Sequence, residues 1–90
     1  DTQSPIVRRD DGSWLLDGSL PVHSVARVLA ADDLGEGGDY ATLAGMIIGE
    51  LGHLPVPGEY VTLHGWCFEV MDLDGRRIDK VLARRPAEAA

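Results

Sequence analysis

The chain from Trp66 to Leu82 is built around one dipeptide, Asp74-Gly75, and this junction restricts the possible folds more than any other part of the sequence. Asp-Gly closes tight hairpins because such turns need positive φ at their centre, which glycine accepts without steric cost. Before it, Trp66, Phe68 and Val70 alternate with Cys67, Glu69 and Met71. That period of two is the pattern of a strand with one buried face. After it, Ile78, Val81 and Leu82 break the alternation, which indicates a bulge or burial on both faces. Upstream, Tyr60 to Leu63 runs into His64-Gly65, a second tight hairpin. The last third of the chain therefore reads as a three-strand meander.

The first two thirds read differently. Ile6-Val7-Arg8-Arg9 and Trp14-Leu15-Leu16 form a hairpin across Asp10-Asp11-Gly12-Ser13, and Asp17-Gly18 ends it. Ser19-Leu20-Pro21 starts a helix, since a first-turn proline lacks only an N–H that would have no helical partner. Val22, Val25, Val28 and Leu29 then make one apolar stripe, opposite His23, Ser24 and Arg27. A loop of acids and glycines follows, and Asp39 is the expected N-cap of a second helix carrying Tyr40, Leu43, Ala44, Ile47 and Leu51 on one face. Met46 and Ile48 widen that face, so cover on more than one side is expected. Gly52 suits the left-handed stop, with Pro55 and Pro57 behind it. Strands at both ends with helices grouped between them predict an α+β fold. The expected form is a small mixed, mostly antiparallel sheet, an N-terminal hairpin plus the meander, packed against two helices. Residues 1–5 read as a linker, 6–85 as the domain and 86–90 as a tail.

Ninety residues with 15 acidic and 8 basic side chains give one core and a net charge of −7. That balance opposes binding to nucleic acid or to anionic lipid, both of which need a cationic face. Arg8-Arg9, Arg76-Arg77, Lys80 and Arg84-Arg85 are interspersed with acids and read as a solvated rim. No run of about 18 apolar residues occurs, so no direct membrane insertion by this stretch is expected. No signal-peptide pattern opens the chain. The lone Cys67 excludes an internal disulfide or a multi-thiolate zinc site, and weakly favours a reducing compartment.

Asp32, Asp33, Glu36 and Asp39 could supply oxygen ligands to a hard cation. Their spacing departs from the EF-hand loop, and a solvated loop whose last acid caps a helix accounts for them better. His64 and Cys67 make half a zinc-like spacing with no second pair. Neither a Gly-x-Ser-x-Gly elbow, a phosphate loop nor a dinucleotide fingerprint is present, so no catalytic or cofactor-binding residues are expected. Ala41, Gly45 and Gly49 fall four apart, a spacing that serves close packing inside the domain or a subunit contact. Trp14 is an interface candidate, and Trp66 is expected in the core.

Three stretches together resemble the CorC/HlyC transporter-associated domain. They are Asp11-Gly12-Ser13-Trp14-Leu15-Leu16-Asp17-Gly18 with Leu20-Pro21; Asp39-Tyr40-Ala41-Thr42-Leu43-Ala44-Gly45 followed by Gly52-His53-Leu54-Pro55 and Gly58; and Phe68-Glu69-Val70 through Asp74-Gly75-Arg76-Arg77-Ile78 to Val81. The resemblance implies the C-terminal cytosolic part of bacterial, haemolysin-like membrane proteins, usually behind a membrane region and a pair of CBS domains. Their parents are linked to magnesium and cobalt efflux. It implies a fold resembling part of a flavin-binding architecture, with no agreed ligand or catalytic residue to carry over. The expectation is a non-catalytic accessory or regulatory domain on the cytoplasmic side of the bacterial inner membrane. It would act through protein–protein contacts, with other domains of its parent or with a second copy in a homodimer, and Trp14, Ala41, Gly45 and Gly49 are the contact candidates. The alternative is a small-ligand sensor for a divalent cation at the Asp32–Asp39 loop or for an adenine nucleotide. The missing phosphate loop counts against the nucleotide.

Overall fold

The computed structural model describes residues 4–35 and 40–85. Its elements are β1 (Ile6–Arg8), β2 (Trp14–Asp17), α1 (Val22–Leu29), α2 (Leu43–Leu51), β3 (Tyr60–Leu63), β4 (Trp66–Asp74) and β5 (Arg77–Arg84). The five strands form one sheet in the order β1-β2-β5-β4-β3, and every neighbouring pair is antiparallel. The α+β expectation holds, and the sheet is antiparallel throughout rather than mixed. Strand β5 joins the N-terminal hairpin to the meander by pairing with β2 on one side and β4 on the other.

Turn chemistry explains the hairpins. Leu63 pairs with Trp66, so His64 and Gly65 are the two central residues, with φ of 51° and 84°. Both central positions are left-handed, as the primed hairpin turns require. Asp74 pairs with Arg77, which places Gly75-Arg76 at the centre of the second turn, one residue later than the Asp-Gly dipeptide suggests. Gly75 still takes the positive φ, 65°. The broken alternation in β5 is a bulge: Leu73 opposes Ile78 and Asp72 opposes Lys80, leaving Asp79 over. A matching irregularity in β4 lies between Val70 and Asp72. Ile78, Val81 and Ala83 consequently all turn inward.

The core fills one side of the sheet. Leu16, Phe68, Val70, Ile78, Val81 and Ala83 meet Val25 and Leu29 of α1 and Leu43, Met46 and Ile47 of α2 in one buried cluster. Each of these side chains other than Ala83 contributes roughly 1.5–3 kcal/mol on leaving water. Helix α1 buries the expected stripe at Val22, Val25 and Leu29, adds Ala26, and keeps Val28 half-buried. Ala44, Ile48 and Leu51 of α2 are partly buried against the same cluster, which accounts for its apolar breadth.

The start of α2 differs from the expectation. Thr42, not Asp39, is the N-cap, and Tyr40 and Ala41 lie before the helix; Asp39 itself is outside the described residues. The reason is a backbone bridge between Thr42 and Pro21, which holds Thr42 extended until its side chain can cap. A helix leaves its first N–H groups without helical partners. Here Leu43 N–H donates to the Leu20 carbonyl, Ala44 N–H to the Gly18 carbonyl, and Gly45 N–H to Thr42 Oγ1. Met46 N–H then makes the first intrahelical bond, to the Thr42 carbonyl. Gly52 ends the helix at φ 82°, as its type predicts.

Gly18 is the tightest point of this arrangement. Its N–H donates to the Asp79 carbonyl at 3.0 Å, and a Cβ on it would lie 2.3 Å from the Ile78 carbonyl oxygen. Gly18→Ala is expected to lose about 2 kcal/mol or more, because backbone on both sides must shift. Thr42→Ala is expected to lose about 1 kcal/mol as a lost cap. Urea unfolding of the two variants checks both, and a Gly18→Ala loss no larger than that of Thr42→Ala would refute the ranking.

Candidate contact surface

Because side chains alternate across a strand, the residues out of phase with the core define the second face of the sheet. The register aligns Val7, Leu15, Leu82, Glu69 and Tyr60 in one row across all five strands. Asp17, Lys80 and Asp72 make the next row on one side, and Arg84, Cys67 and Thr62 the next on the other. None of these residues packs on the core that both helices share. The helices therefore cover one face and leave the other without a helix among the described residues.

The bare face has an aliphatic strip between charges that pair within it. Val7 is 40% exposed and Tyr60 58%, while Leu15 and Leu82 are half-buried by their strand neighbours. Lys80 Nζ lies 4.0 Å from Asp17 Oδ2, and Arg84 lies 3.4 Å from Glu69. Cys67 is only 3% exposed and outside the core cluster. The sequence carried a signal for this strip. Trp14-Leu15-Leu16 and Val81-Leu82 are apolar at consecutive positions, and a strand that is apolar in both phases has apolar groups on both faces.

The contact candidates from the sequence sit elsewhere. Trp14 is partly buried against the core, with the Arg8 guanidinium 5.6 Å from its ring centroid. Trp66 is buried in the core as expected, with Arg85 4.7 Å above its ring. Gly45 donates its N–H to the cap at Thr42. A Cβ on Gly49 would meet the Tyr40 ring at 2.4 Å, so the close approach this glycine permits is made by Tyr40 of the same chain, whose hydroxyl donates to Glu50 at 3.0 Å. That carboxylate, first through the hydrogen bond, pushes the Tyr40 phenol above its usual pKa. Ala41 is exposed and lends its carbonyl to Val22 N–H.

Of the acidic residues, Asp32 and Asp33 are exposed, and Glu36 and Asp39 lie outside the described residues. Asp33 Oδ2 is 3.1 Å from His64 Nδ1, so it ties the α1–α2 connection to the β3–β4 turn. An open groove beside α1 is lined by Val22, His23, Arg27, Asp32 and Tyr40. Among the described residues, no three His, Cys, Asp or Glu side chains gather in a metal-holding group. No helix among them is long and apolar enough to cross a membrane.

Comparison with known proteins places these features. The family described as the CorC_HlyC transporter associated domain matches residues 7–87. This chain belongs to that family. It is 40% identical to the polyamine export protein of Escherichia coli K12 over 83 residues, which cover 92% of this chain and 19% of that protein. The chain thus spans about a fifth of the length of the curated relatives it matches. Its fold is shared with a CorC_HlyC domain of a Xylella fastidiosa hemolysin solved in complex with Mg++ and Mn++, at TM-score 0.82 and 46% identity over 92% of this chain and 99% of that one. It is shared too with a Neisseria meningitidis region described as Mg2+ and Co2+ transporter (CorC) associated, at TM-score 0.80 and 29% identity over 92% and 100%.

The family pattern has a physical basis in this chain. Its first stretch ends at Gly18, Leu20 and Pro21, its second supplies Thr42, Leu43 and Ala44, and backbone hydrogen bonds join the two. The Gly52-His53-Leu54-Pro55 stretch shapes the loop into β3. There Glu59 Oε1 accepts from Val56 N–H at 2.8 Å, and Oε2 lies 2.9 Å from His53 Nε2. The Val56 hydrogen bond, then the His53 contact, holds the Glu59 carboxyl below its ordinary pKa of 4.5. A carboxyl lowered on folding adds stability that is complete above its ordinary pKa and fades as pH falls through the folded value. The melting-temperature gap between the wild type and Glu59→Gln is therefore expected to be constant near neutrality and to shrink progressively below about pH 4.5. A gap independent of pH from 7 to 3 would refute this.

Proposed function

We propose that this domain is a non-catalytic accessory unit of a bacterial membrane transport protein, working by contact with other parts of that protein. The observation that carries the reading is the helix-free sheet face, with its aliphatic strip and internally paired charges. A five-stranded sheet with helices on one side alone leaves its other face for a partner, and no convergent set of groups for chemistry appears among the described residues. Membership of a transporter-associated family and the polyamine export protein among its relatives support transport of a cationic solute by the parent. The transporter-associated Neisseria region supports magnesium or cobalt as the ion. The placement proposed for the domain is the cytoplasmic side of the inner membrane, with residues 6–85 as the functional unit.

A second reading, a divalent-cation sensor, is favoured by one observation: a relative 46% identical was solved in complex with Mg++ and Mn++. In this chain the Asp32–Asp39 connection is the place proposed for the ion, with hard oxygen donors suited to it.

Two measurements separate these readings. Efflux of Mg2+, Co2+ and polyamine is compared between cells expressing the parent protein and cells expressing it without residues 6–85, at matched membrane levels. A severalfold change in rate, or in its dependence on internal solute, is expected. Superimposable efflux curves would sink the accessory role. Millimolar Mg2+ added to the isotope-labelled 90-residue chain is expected, on the sensor reading, to shift the Asp32 and Asp33 amides selectively; uniform small shifts would reject it.

A further inference from the structure

The bare face raises a question of occupant, and its dimensions and charges narrow the answer. Five strands at about 4.8 Å spacing span about 24 Å, and Lys80 to Arg84 spans roughly 15 Å along β5. The face therefore offers about 400 Å², half of the roughly 800 Å² per partner that a stable interface between separate molecules buries. A contact of this size is weak between free molecules. It becomes effective when both partners belong to one polypeptide, because a short tether raises the local concentration to about millimolar.

A second copy of this chain is disfavoured by the charge pattern. Strand β5 is the middle strand of the sheet, so two faces related by a twofold axis in the interface place β5 on β5. With the axis along the strands, Lys80 meets Lys80 and Arg84 meets Arg84. With the axis across them, Lys80 meets Arg84, and Glu69 in the central row meets Glu69. Both arrangements set cation on cation, a juxtaposition that opposes association. Both cations are instead paired within the face, as Asp17–Lys80 and Arg84–Glu69, and Asp72 leaves it one net negative charge. Such a face fits a partner with an aliphatic strip and few charges of its own.

We infer that Val7, Leu15 and Leu82 form an intramolecular docking strip for an apolar, weakly charged surface of another domain in the same polypeptide. This rests on the accessory reading above, and the length of the relatives, about five times the segment matched, provides the chain from which such a partner comes. The strip holds the domain in cis and does not assemble it in trans.

Thr62 lies on this face one row from the strip and is exposed, so Thr62→Cys in a chain carrying Cys67→Ala provides the probe, the native Cys67 being only 3% exposed. Labelling of the Thr62→Cys thiol by a maleimide, read by peptide mass spectrometry, is compared in the 90-residue chain and in the full-length polypeptide. Labelling slower by roughly tenfold or more in the full-length protein is expected, given the tethered concentration. Leu82→Glu is expected to restore the fast rate there and to leave the 90-residue chain monomeric and its labelling unchanged. Val7→Glu, at an exposed edge position, is expected to act in the same direction without a folding cost. Equal rates in the two proteins would overturn the inference. So would protection of the 90-residue chain that grows with its concentration and is abolished by Leu82→Glu, which would identify a second copy as the occupant. If domain deletion leaves efflux unchanged while the thiol of Thr62→Cys stays protected, the accessory role fails and the docking strip stands; changed efflux with equal labelling means the reverse.

Discussion

Burying the N-terminus of α2 is affordable only if its first backbone N–H groups find acceptors, and the architecture is arranged around that requirement. Each orphaned donor would cost roughly 1–3 kcal/mol. The Gly18 and Leu20 carbonyls and the Thr42 hydroxyl take the three bonds that the helix cannot make for itself. Gly18 also donates its own N–H to Asp79, in the bulge of β5. One residue thus connects the end of the N-terminal hairpin, the middle strand of the sheet and the start of the second helix. Its lack of a side chain is a packing requirement rather than a turn requirement, because its φ is not positive and the group a Cβ would meet is the Ile78 backbone carbonyl.

That junction explains which parts of the structure were legible in the sequence. The hairpins at Gly65 and Gly75, the α1 stripe, the Gly52 stop and the alternation of β4 each follow from local patterns a few residues long. The register of β5 between β2 and β4 was legible only as a defect, the broken spacing from Ile78 to Val81. Residue type alone points to Asp39 as the cap of α2, whereas Thr42 is held in the capping conformation by Pro21, 21 positions earlier. Local propensity does not register a bridge of that kind. The same limit applies to Gly49. Spacing shows that something approaches closely there, and only the fold shows that it is Tyr40.

The bare sheet face follows from the same economy. Among the described residues, two helices of 8 and 9 residues cover one side of a five-stranded sheet and no more. Strands buried on one face alone would show polar residues at every second position. Here Leu15 and Leu82 depart from that rule at adjacent positions in neighbouring strands, and Val7 extends the strip to the edge. The charged residues beside them are set against one another within the sheet. This arrangement lowers the desolvation cost of covering the face, because Lys80 and Arg84 each retain a partner when water leaves. It also leaves the face with one net negative charge from three acids and two bases, so little of its attraction for a neighbour is electrostatic. A surface that is cheap to cover yet poor at capture suits a neighbour that is already attached. The physical character of the face and the length of the relatives, about five times the segment matched, independently support the proposed contact within one polypeptide.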